Sequence, residues 1–332
     1  MANSRLGIET KAITEGALMA ALTALLALAG IYIPAIDAIV MLIWTLPVVI
    51  VCMRHGIRAG AATLVVAGFV IMMVSTPINA VTIMIRSAGT ALMIGYGFSK
   101  MWRMEKTVLY TTGAEITSLV IDVLLSVFVM GFSIKELFTF EPEMVEEMAQ
   151  MFTEAGIAAS MGLSAEQMAA EVERVFVTMS YIMPATMLIY CFASAITNYA
   201  AAYFILRKLK MPLPAMIKLS TFRLPTALIF GFIFGYGLTV LGNSLWPETP
   251  MIVTVGQNII MVFLAFYIVQ GLGLIQYLIG RAPSGMRVLL RFGLIFLIIM
   301  TAFGILTIIG YIGIADALLD FRKMGALPAK KE

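Results

Sequence analysis

Histidine is nearly missing from this chain: His55 is the only one in 332 residues. One imidazole excludes most metal centres and catalytic triads, which need several donors converging on one point. Cysteine is almost as scarce. Cys52 sits beside the basic run RHGIR and Cys191 lies inside a long apolar stretch, so both are expected to stay free thiols. No glycine-rich loop ending in Gly-Lys is present, which removes a self-contained ATPase. Charge is the third shortage. Only 12% of the residues are Asp, Glu, Lys or Arg, too few to clothe a water-soluble domain of this length.

What replaces charge is apolar surface. Hydrophobic residues make up 61% of the chain and the mean hydropathy is +1.00. Apolar runs of membrane-crossing length recur from residue 13 to about residue 310. They are continuous and rich in Leu, Ile, Met and Ala, unlike the short alternating segments of an outer-membrane barrel. Backbone polar groups find no partner in hydrocarbon, so each run must be helical. The expectation is an all-α integral membrane protein, one polytopic bundle over 1–332 whose first partner is the lipid bilayer. Nothing marks a nucleic-acid partner, a cofactor or a metal.

Nine segments emerge, at roughly 13–33, 36–53, 59–75, 78–98, 107–131, 175–206, 224–243, 252–280 and 289–310. The third is short and is followed by Ser75-Thr76-Pro77, so it reads as a full span or as half of a broken one. Basic residues mark alternate connections: Arg5 and Lys11, Arg54 and Arg58, Lys100 to Lys106, Arg207 to Arg223, and Arg281 to Arg291. The alternate connections IPAID, STPIN and NSLWPETP hold none, which puts the N-terminus in the cytoplasm. Nine crossings would send the C-terminal tail outside, yet Arg322, Lys323, Lys330 and Lys331 argue for inside. The count is therefore eight or nine.

Residues 133–173 form an acidic insertion, expected outside the cell. Through Arg174 it holds nine glutamates against Lys135 and Arg174, a net of −7 in a chain whose total is +3. Pro142 suits a first helical turn, and Met144, Met148, Met151 and Phe152 then share a face. Ser164 to Gln167 reads as a capping box opening a helix that runs into the sixth span.

Charges inside spans face cavities or partners. The fourth segment carries Arg86 and the fifth carries Glu115 and Asp122. A short turn joins these segments, so they should run antiparallel. Their estimated ends set Asp122 level with Arg86 and Glu115 about two turns deeper, which predicts an Arg86–Asp122 ion pair. Arg86 and Glu115 together with Asn79 and Asn198 are candidate lining for a small polar solute pocket. In the first segment Gly16, Ala20 and Ala24 form a small-residue stripe that permits close helix approach.

Four stretches, ITEGALMAALTALLALAG (13–30), LPVVIVCMRHGIRAG (46–60), QGLGLIQYL (270–278) and DALLDFRK (316–323), resemble the YybS-like family of uncharacterised bacterial membrane proteins. The opening third is more distantly similar to the S-components of energy-coupling-factor transporters. That likeness rests on the Ala-rich first helix, the turn with Pro34, and a Leu-Pro run before a basic Gly-rich turn. It implies residence in a bacterial cell (inner) membrane and a first helix that docks a transmembrane coupling subunit through Gly16, Ala20 and Ala24. Separate ATPases would supply the energy. More spans than the usual six and the acidic insertion depart from the S-component pattern. Two functions compete: a solute-binding or transport subunit, and a non-transporting scaffold or regulator of the cell envelope. An enzyme is not expected, because no nucleophile or metal set accompanies Glu115 and Asp122.

Overall fold

The computed structural model describes residues 2–301 and 303–324. All regular structure among them is helical. Seven helices are long and apolar enough to cross a membrane, and the shorter apolar stretches Ile39–His55 and Gly304–Leu319 join them. The polytopic helical architecture expected from the sequence is the one present. The chain divides into two compact units: the chain up to Leu137 with Tyr190–Met216, and Phe138–Ile189 with the chain from Ile217 onward.

The first unit begins with α1 (Ala2–Tyr32), α2 (Asp37–Ile43), α3 (Leu46–His55) and α4 (Ile57–Val74). The expected second segment is broken between α2 and α3, because Pro47 has no N–H to give the carbonyl of Ile43. α4 is an unbroken 18-residue helix, so the third segment is a full-length one. α1 and α4 run parallel: Gly16 lies against Thr63, and the Tyr32 hydroxyl donates to the Val74 carbonyl at 3.0 Å. The stripe of small residues makes this approach possible. Ala20 and Ala24 are buried in a core with Ala67, Ile71 and Ala80. This corrects the docking expectation, since Gly16, Ala20 and Ala24 are consumed by packing within the chain. The opposite face of α1 (Leu18, Leu22, Leu25) is the exposed one.

Next come α5 (Pro77–Ser99) and α6 (Met104–Phe128). Thr76 caps α5, its hydroxyl accepting from the Asn79 N–H. The helices are antiparallel, with Gly97 against Thr107, Thr90 against Glu115 and Gly89 against Ala114. Continued outward, that register sets Ser118 level with Arg86 and Asp122 a turn beyond it. The expected Arg86–Asp122 ion pair is accordingly not formed: Arg86 is exposed, and no bridge within 4.0 Å joins it to Asp122. α6 ends at Phe128 and not near 131, and a helix shorter by that much at its outer end brings Ser118, not Asp122, to the depth of Arg86.

The acidic region holds α7 (Ile134–Leu137), α8 (Pro142–Glu154), α9 (Ile157–Ser160) and the start of α10 (Ala165–Lys208). Both arms of the Ser164–Gln167 capping box are made, at 2.9 and 3.2 Å. Met148 and Phe152 face a small core of Ala149, Ala158, Met168 and Val172. Met144 and Met151 are exposed instead, because Val145 and Ala149 complete the inward face of α8. At 44 residues α10 is about twice as long as one crossing needs.

In the second unit α11 (Leu228–Leu245) packs antiparallel on α12 (Pro250–Arg281), followed by α13 (Ser284–Thr301), α14 (Phe303–Leu319) and α15 (Phe321–Met324). The expected ninth segment, 289–310, is thus two helices. α12 and α14 are parallel: Leu264 meets Gly310, Tyr267 meets Gly313, Gln270 meets Asp316 and Tyr277 meets Arg322. The end of α14 therefore lies level with the end of α12, and α13 is the limb that returns between them. This removes the conflict over the basic tail, because Arg322 and Lys323 end on the same side as Arg281.

Candidate functional site

α6 presents Thr107, Thr111, Glu115 and Ser118 along one buried face, a spacing that follows the helical turn. α5 brings Thr90 opposite Glu115, and α10 brings Cys191, Ser194 and Asn198 at the same spacing. All these residues belong to the first unit.

Glu115 is 7% exposed and is the centre of the group. Its Oε1 accepts from the Thr90 hydroxyl at 2.8 Å and from the Ser194 hydroxyl at 3.0 Å. Asn198 Nδ2 donates to the Ser194 carbonyl at 3.1 Å and to its hydroxyl at 3.3 Å. Among the described residues no cation lies within 4.0 Å of Glu115. Arg86 stands one turn from Thr90 and acts on the carboxylate only through its charge. Two further polar atoms within a turn of these residues are buried without a hydrogen-bond partner, Thr111 Oγ1 and Asn198 Oδ1. Such groups are costly in an apolar interior, so the cluster is polar beyond what packing asks for.

Of the five residues expected to line a pocket or form a pair, the fold brings Glu115 and Asn198 together. Arg86 is near but exposed. Asp122 is two turns along α6 from Glu115, about 10 Å, and its carbonyl accepts from Ser126. Asn79 is exposed in the first turn of α5. The missed members are Thr90 and Ser194, both ordinary hydroxyls within spans.

A second buried cluster lies in the other unit. Arg322, 5% exposed, pairs with Asp316 at 3.1 Å and donates to the carbonyls of Ser220, Phe222 and Gln270. Gln270 donates to Asp316 at 3.1 Å and accepts from the Leu224 N–H. Gly273 leaves room for the guanidinium, since a Cβ there would sit 2.6 Å from the Leu219 carbonyl oxygen and 3.1 Å from Arg322 Nη2. This cluster clasps the 219–224 connection to the ends of α12 and α14. It joins QGLGLIQYL to DALLDFRK, two stretches that are distant in sequence.

The other two distinctive stretches also meet. Glu15 forms an ion pair with Arg54 and a 2.8 Å hydrogen bond with His55 Nε2. The one histidine thus ties α1 to the end of α3. In the acidic region, α8 and the first part of α10 enclose a groove of about 570 Å³. Phe140, Val145, Phe176 and Val177 line it, together with Glu146, Glu166 and Glu173.

The four stretches thus meet as two pairs, each at helix ends within its own unit, and one family model matches most of the chain. The family described as "Predicted membrane protein (DUF2232)" covers residues 21–317. The chain belongs to this family. Membership in DUF2232 agrees with the helices found and carries no activity. No curated protein and no solved structure matches the chain. Within the DUF2232 match lie the whole Glu115 group and Asp316, while Glu15 and Arg322 fall just outside its ends.

Proposed function

We propose that this chain is a solute-binding or transport subunit of the bacterial inner membrane, with its N-terminus in the cytoplasm and the acidic segment outside. The observation that carries this reading is Glu115: an acidic side chain, 7% exposed, in a membrane-length helix with hydroxyl partners and no ion pair. A carboxylate held only to fix helix packing is expected to have a basic partner, whereas ligand sites leave charge and lone pairs unspent. The solute would be small and polar, received by Glu115, Thr90, Ser194 and Asn198.

The resemblance to energy-coupling-factor S-components supplies the candidate partners, a transmembrane coupling subunit and ATPases. With the small-residue stripe packed internally, the exposed face of α1 is the surface left for such a subunit. Co-purification from the native membrane tests the partner. A thermal-shift panel of vitamins and other small polar solutes tests the site, the expected result being stabilisation that Ser194→Ala weakens.

The acidic groove favours a second reading, a scaffold or regulator of the cell envelope that meets a basic partner outside. A purified chain that responds to no solute, and that loses a partner when Glu146, Glu166 and Glu173 are neutralised, would favour that reading over transport.

A further inference from the structure

We propose that the Glu115 cluster is a binding site for one small monovalent cation, Na+. This deepens the solute-binding reading and rests on it. The side chains that bond to Glu115 offer oxygens, the Thr90 and Ser194 hydroxyls. The Asn198 amide oxygen and the Thr111 hydroxyl lie one turn from them on α10 and α6, and the Cys191 thiol makes no hydrogen bond to the carboxylate. Oxygen-only sets suit hard cations. A single carboxylate supplies one negative charge, which a monovalent ion neutralises and a divalent ion exceeds. No group of three His, Cys, Asp or Glu residues that might hold a transition metal exists among the described residues.

The unspent lone pairs point the same way. Asn198 Oδ1 and Thr111 Oγ1 are buried without partners, and their residues are 8% and 0% exposed. Asn198 Nδ2 touches the same Ser194 hydroxyl that donates to Glu115, so its amide oxygen is one hydrogen bond removed from the carboxylate. The Thr90 and Ser194 hydroxyls now both donate to Oε1. Each retains lone pairs for an ion lying between them. The charged and titratable groups acting on Glu115 are Arg86 from α5 and Cys191 from α10. Arg86 is exposed and makes no hydrogen bond to the carboxylate, so it leaves the cluster in need of a closer cation.

The test uses the purified full-length chain, with thermal stability followed in NaCl, KCl and choline chloride at constant ionic strength. Binding to the folded state raises the Tm with ion concentration. The expected result is a saturable rise specific to Na+, absent in Glu115→Gln. Its half-saturating concentration moves up about tenfold in Thr90→Val and in Ser194→Ala. Should Glu115→Gln fail to fold, the two hydroxyl variants carry the test. Equal Tm in NaCl and choline chloride would overturn the proposal, as would a Na+ effect unchanged in both hydroxyl variants. Carbodiimide modification of Glu115 in membranes provides a second readout: Na+ should protect, and protection by neither Na+ nor Li+ means that only a proton visits the carboxylate. A solute retained without any Na+ effect defeats this inference alone. A Na+ effect without any solute defeats the solute-binding reading alone.

Discussion

Asn258 gives partners to the two backbone groups that flank Pro184 in α10, the Ala185 N–H and the Tyr181 carbonyl. Proline inside a helix lacks an N–H and crowds the preceding turn, and the Ala185 N–H and the Tyr181 carbonyl, partners of each other in a regular helix, both bond to Asn258. Asn258 Oδ1 accepts from Ala185 at 2.9 Å and Asn258 Nδ2 donates to Tyr181 at 2.8 Å. One amide bridges the gap, and it also ties α12 to the first part of α10.

Asn258→Leu should therefore destabilise the chain by about 1–3 kcal/mol, the range for leaving buried backbone groups unpaired. The same change in a Pro184→Ala background should cost much less, because the helix can then close its own bond. A double-mutant cycle in detergent measures the difference. Equal costs in both backgrounds would show that the amide does not serve the proline.

The parallel packing of α12 on α14 sets where the tail emerges. Cysteines introduced at Ala282 and at Lys323 should react with a membrane-impermeant maleimide from the same side of the membrane. The native Cys52 and Cys191 are buried and need not be removed. Labelling from opposite faces would refute the parallel register and the return limb α13.

Asp320 supplies a pH dependence. It receives hydrogen bonds from Lys323 at 2.9 Å and from Arg223 at 2.8 Å, and these hold its carboxyl below the ordinary value of 3.8. A depressed pKa gives a stabilising contribution that is complete above the unfolded value and fades as pH falls through the folded one. Tm should thus drop on acidification below about pH 4, and Asp320→Asn should remove that part of the drop. A variant that tracks the wild type through this range would contradict the assignment.

Met101 ends α5 with a positive φ of 52°. Trp102 donates to Gly97 and Met101 to Phe98, the pattern in which glycine usually occupies the left-handed position. Met101 is exposed, so its side chain contributes little packing. Met101→Gly should raise stability by about 1 kcal/mol by relieving the left-handed strain, seen as a higher denaturation midpoint. Gly131 at φ 81° needs no such change.

Much of this architecture was legible in the sequence because the bilayer imposes it. Apolar length and alternate basic turns located the helices, and Ser164 with Gln167 announced the start of α10. The split of 289–310 left no mark, since MTAFG is as apolar as its flanks and the break follows from the return of α14 to α12. Packing registers were harder. A small-residue stripe such as Gly16, Ala20 and Ala24 looks alike whether it meets a neighbouring helix or another subunit. Depth estimates placed Asp122 opposite Arg86 because a few residues of error at one helix end shift a partner by a full turn.

The Glu115 group was half visible. An acidic residue in a span announces itself, but Thr90 and Ser194 do not, because span hydroxyls commonly bond to their own helix. Thr186 and Thr197 do so here, donating to Ile182 and Ala193. Only the α5–α6 register and the path of α10 separate the hydroxyls that serve Glu115 from those that serve the backbone. The Asp316–Arg322 clasp was hidden for a similar reason: basic residues near a chain end suggest topology before they suggest a buried pair.

The most direct measurement of the central claim is the small-molecule content of the purified protein. Wild type and Glu115→Gln would be isolated identically from the native membrane, matched for folding by elution volume, and their extracts compared by mass spectrometry. A binding site centred on Glu115 predicts a small polar solute retained by the wild type and depleted at least tenfold in the variant. Identical extracts from two equally folded proteins would contradict it.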